Sequence, residues 1–120
     1  MKNHDLLKVT YAAFNRRDID AAVAAMHPEV EWPNGMETGM VHGHLAVREY
    51  WTRQWGIINP RVEPISFAED GTGRVMVKVH QVVRDLKGTV IVDRMICHAY
   101  VFEDELIKSM EIKELSPIAD

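Results

Sequence analysis

The stretch Thr89–Phe102, TVIVDRMICHAYVF, decides how this chain is read. As a strand, with alternate side chains on opposite faces, it places Val90, Val92, Arg94, Ile96, His98 and Tyr100 on one side. Ile91, Asp93, Met95, Cys97, Ala99 and Val101 fall on the other. Both faces are apolar enough for burial, and the first also carries an arginine and a histidine. Such a strand belongs in a sheet that lines a pocket on one side and meets another surface behind. That is a binding-site architecture, and it does not by itself name a reaction.

The run before it, Arg74–Arg84, alternates in the same way, with Val75, Val77, Val79, Gln81 and Val83 on one face and Met76, Lys78, His80 and Val82 on the other. The valine face turns inward, which places Gln81 beside His98 and sends His80 outward. A buried glutamine amide left unpaired costs about 1–3 kcal/mol, so Gln81 requires a partner or a ligand. Two further strand-like runs, residues 61–68 and 106–115, flank this pair, with turn signals at Asp70-Gly71, Lys87-Gly88 and Asp104-Glu105. Connections this short make an antiparallel meander.

Helical spacing dominates the first half. Leu7, Tyr11 and Phe14 share a face over residues 4–15, and Asp5 suits the first turn of that helix. Asp18 offers an N-cap for a second, shorter helix carrying Ile19, Ala22, Val23 and Met26 on one side, which Pro28 ends. Val30–Trp32 reads as a brief strand, and Pro33–Gly43, with its three glycines, reads as a loop. A third helix over His44–Trp55 shares Val47, Trp51 and Trp55 on a face with Tyr50 beside them, and Gly56 closes it. Three helices packed on one side of an antiparallel sheet make a single α+β domain, residues 1–120, whose bent sheet and helices enclose a cone-shaped cavity.

Composition bounds the function. At 120 residues with 47% hydrophobic and 27% charged residues, the chain is an ordinary globular domain large enough for a core without staples. A net charge of −4 and a pI near 5.8 argue against nucleic-acid binding, which needs a basic stripe. The lone cysteine, Cys97, excludes an internal disulfide, and the N-terminal segment lacks a signal-peptide pattern, so a cytoplasmic protein is expected. No stretch approaches the ~20 apolar residues of a membrane span.

Two short helices, a strand, a helix and four strands resemble the nuclear transport factor 2-like superfamily, in its SnoaL-like and ketosteroid-isomerase-like branch. The resemblance is carried by Tyr11-Ala12-Ala13-Phe14-Asn15 before Asp18-Ile19-Asp20, by Val30-Glu31-Trp32-Pro33, by Gly43 through Trp51, and by Tyr100-Val101-Phe102 leading to Leu106-Ile107. It covers nearly the whole chain and implies a cone-shaped, cystatin-like α+β fold. It constrains function less, because this scaffold hosts isomerases, cyclases, dehydratases, epoxide hydrolases and binders without activity. Ketosteroid isomerases use a first-helix tyrosine and a late-strand aspartate as an oxyanion hole, and a first-strand aspartate to move the proton. The resemblance puts Thr10, His98 and Trp32 at those positions. An indole cannot serve as a base, so steroid isomerase chemistry is not expected. The Asp–His dyad of the dehydratases meets Asn15, and the carboxylates of the epoxide hydrolases meet Gln81 or Val83 and Ile112.

His98 is therefore the candidate proton-transfer residue, a change of type from the acidic residue of SnoaL-like cyclases, with Gln81 as its catalytic neighbour. The plainer reading of His98 is a core histidine bonded to Tyr100 or Gln81. Arg94, about 13 Å earlier on the same face, either orients an anionic or carbonyl group or forms an ion pair at the rim. Trp32, Trp51, Tyr11, Phe14 and Met110 are the expected apolar and aromatic contacts for a small apolar or aromatic molecule. His42-Gly43-His44 resembles half of a metal site without a third ligand, so neither metal nor cofactor is expected. The outward His80, Met95, Cys97, Ala99 and Val101, with the frequent dimers of the family, point to a homodimer through the outer sheet face. Two function classes remain open: a cofactor-free isomerase, cyclase or dehydratase acting beside a carbonyl, and a ligand-binding or dimeric accessory domain without catalysis.

Overall fold

The computed structural model describes residues 2–34 and 39–114. The order is α1 (Lys2–Asn15), α2 (Ile19–Ala24), β1 (Met26–Pro33), β2 (Met40–His42), α3 (Gly43–Trp55), β3 (Ile58–Glu69), β4 (Val75–Asp85), β5 (Val90–Glu103) and β6 (Leu106–Glu114). The strands form one sheet in the order β2-β1-β6-β5-β4-β3. Every pair is antiparallel except β1 with β6, which run parallel. The sheet is thus the expected meander extended at its β6 edge by two strands from the first half of the chain. Register slips at Pro64/Ser66, Val83/Arg84 and Val101/Phe102 are bulges that bend it. The helices pack against β1 and β3 across the concave side.

Several boundaries differ from the sequence reading, each for a local reason. The second helix stops at Ala24, and Met26 opens β1 instead, buried in the core. Pro28 is accommodated inside β1 because it lies in the irregular stretch between the Met26 and Glu31 pairings, where no ladder bond needs its missing N–H. β3 starts at Ile58 and absorbs Pro60 and Pro64 because it is an edge strand, paired only with β4. The predicted 33–43 loop holds the three-residue strand β2; its residues 35–38, like Leu115 at the predicted end of the last strand, lie outside the described residues.

The junction of α1 and α2 explains how the first helix is aimed. Arg17 takes a positive φ of 67°, the Asp18 N–H donates to the Ala13 carbonyl at 2.8 Å, and the Arg17 N–H donates to Phe14 at 3.0 Å. This is the helix-ending motif usually built on glycine. An arginine is held there by its side chain, which donates to the carbonyls of Phe14 and Pro60, bonds Asn59, and lies over the rings of Phe14 and Trp55. Asp18 then caps α2 by accepting from the Ala21 N–H at 3.1 Å, and this bond lowers its pKa. Asn15 completes the attachment of α1 to β3 by donating to and accepting from the Val62 backbone, at 2.7 and 2.9 Å.

The decisive strand departs from expectation in one respect. Burial on both faces holds only over Ile96–Tyr100; from Val90 to Met95 the strand is largely exposed, with Ile91 at 53% and Met95 at 38%. Among the described residues β6 pairs with β5 only from Ile96 onward, so Val90–Met95 have a neighbouring strand, β4, on one side alone.

Candidate active site

Between the concave sheet and the helices lies a cavity of about 270 Å³. Its floor comes from β5, whose inward positions there are His98 and Tyr100, and from α1, which lowers Tyr11 onto them. The Tyr100 hydroxyl donates to the Tyr11 oxygen at 2.8 Å, and the Tyr11 hydroxyl lies 2.7 Å from His98 Nδ1. With Tyr100 donating to Tyr11, the Tyr11 proton is directed at Nδ1, the arrangement that matches the tautomer with its proton on Nε2. No hydrogen bond to Nε2 occurs among the described residues, and His98 lines the cavity. Burial, with a smaller contribution from the positive charge of Arg94, lowers the His98 pKa from 6.5 to about 4. At neutral pH it is therefore an uncharged ring. Burial also raises the pKa of Tyr11 and of Tyr100, so both keep their protons.

The walls are aromatic. Trp32 of β1 and Trp51 of α3 meet edge to face at 5.6 Å, and Phe14 meets Trp51 in the same way at 5.2 Å. Met110, opposite Tyr100 on β6, is buried against the floor. At the mouth, Arg94 stands opposite Gln81 and donates from Nε to its Oε1 at 2.6 Å. Among the described residues Arg94 is the only ionised side chain lining the cavity, and no carboxylate lines it.

All eight candidate residues, His98, Gln81, Trp32, Trp51, Arg94, Met110, Tyr11 and Phe14, line this one cavity. Their arrangement corrects the sequence reading in three places. Gln81 does not sit beside His98: the register pairs Gln81 with Arg94 and His98 with Val77, four residues away, because a side chain's neighbour is set by strand register and not by its position in a valine row. His98 bonds neither Gln81 nor Tyr100 directly, since α1 inserts the Tyr11 hydroxyl between the two strand residues. Thr10, at the position the family resemblance implies for the oxyanion tyrosine, lines the cavity beside Tyr11 but turns its hydroxyl back to the Leu6 carbonyl at 2.8 Å. Tyr50 and Gln54, bonded to each other at 3.1 Å, also line the cavity. Gln54 is absent from the candidates the sequence names, and its place one turn beyond Tyr50 is the signal for it.

The histidine motif before α3 does not converge. His42 pairs with Glu29 at 3.1 Å and Glu31 at 3.5 Å, whereas His44 Nε2 is bonded to the Met26 carbonyl at 2.8 Å. Away from the cavity, His27, Glu103 and Asp104 form an ion-pair cluster at 3.2 and 3.5 Å, joined by Lys108. Among the described residues no helix is long and apolar enough to cross a membrane.

The model of the family described as SnoaL-like domain matches residues 8–110. Of solved structures, TerC co-crystallised with polyporic acid is 29% identical, with a TM-score of 0.83 over 97% of this chain and 93% of that one. A nuclear transport factor 2-like protein of unknown function from Burkholderia pseudomallei is 28% identical, with a TM-score of 0.82 over 96% and 92%. A putative polyketide cyclase from Sinorhizobium meliloti, at 18% identity and a TM-score of 0.77 over 91% and 94%, shares the fold. Among curated proteins none matches the sequence.

Proposed function

The chain belongs to the SnoaL-like domain family, and we propose that it binds a small apolar or aromatic molecule with its carbonyl oxygen directed at His98. The observation that carries this reading is the state of that histidine: neutral, bonded at Nδ1 to Tyr11, and without a partner at Nε2 among the described residues, on the floor of an aromatic cavity. A neutral imidazole N–H aimed at a carbonyl stabilises the negative charge that grows on oxygen when a neighbouring carbon loses its proton. Isomerisation, cyclisation and dehydration beside a carbonyl all pass through such a charge, so His98 supports this group of reactions as a hydrogen-bond donor. The likeness to TerC, solved with polyporic acid, supports a small-molecule occupant.

A second reading rests on its own observation. With no carboxylate lining the cavity among the described residues, a base for the carbon proton is missing, which favours a protein that orients its ligand without turning it over. In either reading the molecule pairs as a homodimer through the outer sheet face, where Met95 and Val101 stay exposed beside Cys97 and Ala99.

A thermal-shift screen of wild type and His98→Ala against cyclic ketones and hydroxylated aromatics tests the proposal. The expected result is stabilisation of the wild type that disappears in a variant whose far-ultraviolet circular dichroism is unchanged. Ligand stabilisation indifferent to His98 overturns it. Where a bound compound is turned over, full turnover by His98→Ala removes His98 from the reaction, whereas His98-dependent binding with no turnover of any compound assigns the protein to the second reading.

A further inference from the structure

We propose that the ligand carries an anionic oxygen at the end opposite its carbonyl, and that Arg94 is the residue that selects for it. The inference rests on the reading of the cavity above and adds the substrate class. Its basis is that Arg94 lines the cavity without a carboxylate partner among the described residues, whereas Arg17 and Arg84, also without a carboxylate there, lie outside the lining. Arg16, Arg48, Arg61 and Arg74 each stand against a carboxylate, at Asp18, Asp20, Glu63 and Asp70. The chain carries 18 acidic residues against 14 basic ones, so counter-charges are plentiful. Arg94 nevertheless faces no acid among the described residues; its hydrogen bond is to the neutral Gln81.

That bond occupies Nε and fixes the plane of the guanidinium, leaving the two terminal nitrogens for a planar, two-oxygen acceptor. Such a fork matches a carboxylate, or the oxygens of an ionised hydroxy-ketone. The position is also directional. Arg94 lies at the exposed mouth and His98 at the buried floor, four residues apart on one strand, about 13 Å between backbones. Aromatic walls join the two ends, so a flat molecule enters carbonyl first and leaves its acid at the rim. Among the described residues the lining carries no carboxylate to repel an anion, which reinforces the choice.

Matched probes test this: 4-acetylbenzoate and 6-acetyl-2-naphthoate, each beside its methyl ester and beside the ketone lacking the acid, titrated into wild type, Arg94→Met and Arg94→Lys. Wild type is expected to bind at least one acid about tenfold or more tightly than its ester, in a salt-dependent way. Arg94→Met is expected to lose that preference while keeping its affinity for the neutral ketone, and Arg94→Lys to recover only part of it. Equal binding of acid and ester by wild type, or a preference that survives Arg94→Met, overturns the inference and leaves the cavity reading standing. Binding of none of these probes overturns both.

Discussion

The floor and the mouth of the cavity are built on the same face of the same strand, yet they behave as different kinds of matter. At the floor, His98 is 5% exposed, Tyr100 1% and Tyr11 4%, and their hydroxyls and Nδ1 bond one another in a chain that ends at His98. At the mouth, Arg94 and Gln81 make a single bond at an edge open to solvent. The difference teaches that the neighbours a strand position acquires, here Tyr11 of α1 above the floor and β6 beside it, and not the pattern of the strand, decide which polar groups become part of the core. A floor group stripped of its partner loses a hydrogen bond in a largely apolar surrounding, whereas a mouth group is re-hydrated.

The widest separation between the two regions is expected from Tyr11→Ala. It removes a buried ring that stacks on His98 and meets Tyr100 edge to face, and it orphans His98 Nδ1. Urea unfolding should show a loss of about 3–5 kcal/mol, with Tyr11→Phe, which removes the hydroxyl alone, losing about 1–3 kcal/mol. A Tyr11→Phe variant as stable as wild type would break the claim that the floor's polar chain is structural.

The pH dependence of stability separates the regions next. His98 titrates at about 4 in the folded protein against 6.5 in the unfolded chain. Above pH 6.5 it is neutral in both states. Between 6.5 and 4 the unfolded chain takes up a proton that the fold refuses, so stability falls as pH falls, and below 4 this contribution is level. The integrated effect is on the order of 3 kcal/mol, read as the change between pH 7 and pH 4 in the stability difference between wild type and His98→Gln. A difference that does not change with pH would mean that the floor is hydrated.

This contrast also explains what was legible from the residues alone. The period-two patterns of β4 and β5 named the inward faces, the helical spacing of Leu7, Tyr11 and Phe14 located α1, and together they placed five of the eight residues, Gln81, Arg94, His98, Tyr11 and Phe14, around one cavity. These are properties of single elements, which a sequence states directly. Pairings between elements were not legible. Nothing local to Gln81 says that it faces Arg94 and not His98, and Thr10 and Tyr11 are adjacent on a helix whose rotation is set by the distant anchors Asn15–Val62 and Arg17–Pro60. Likewise β2, three residues long, is a strand only because β1 lies beside it.

The smallest effect on folding is expected from Arg94→Met, and it is also the most informative about how the two regions communicate. An exposed rim side chain with one neutral hydrogen bond should change stability by no more than about 0.5 kcal/mol in urea unfolding. Its charge nevertheless reaches the floor, since Arg94 is the second cause of the lowered His98 pKa after burial. Removing the guanidinium should therefore raise the His98 pKa while leaving it below 6.5, because the larger cause, burial, is untouched. An NMR titration of the imidazole in both proteins measures this. An unmoved value would mean that solvent at the mouth screens the charge completely, and floor and mouth would then be two sites sharing a strand. A raised value makes them one site, in which the group that receives an anion at the rim also tunes the donor at the floor: neutralising Arg94 with a bound acid would shift His98 in the same direction as the substitution.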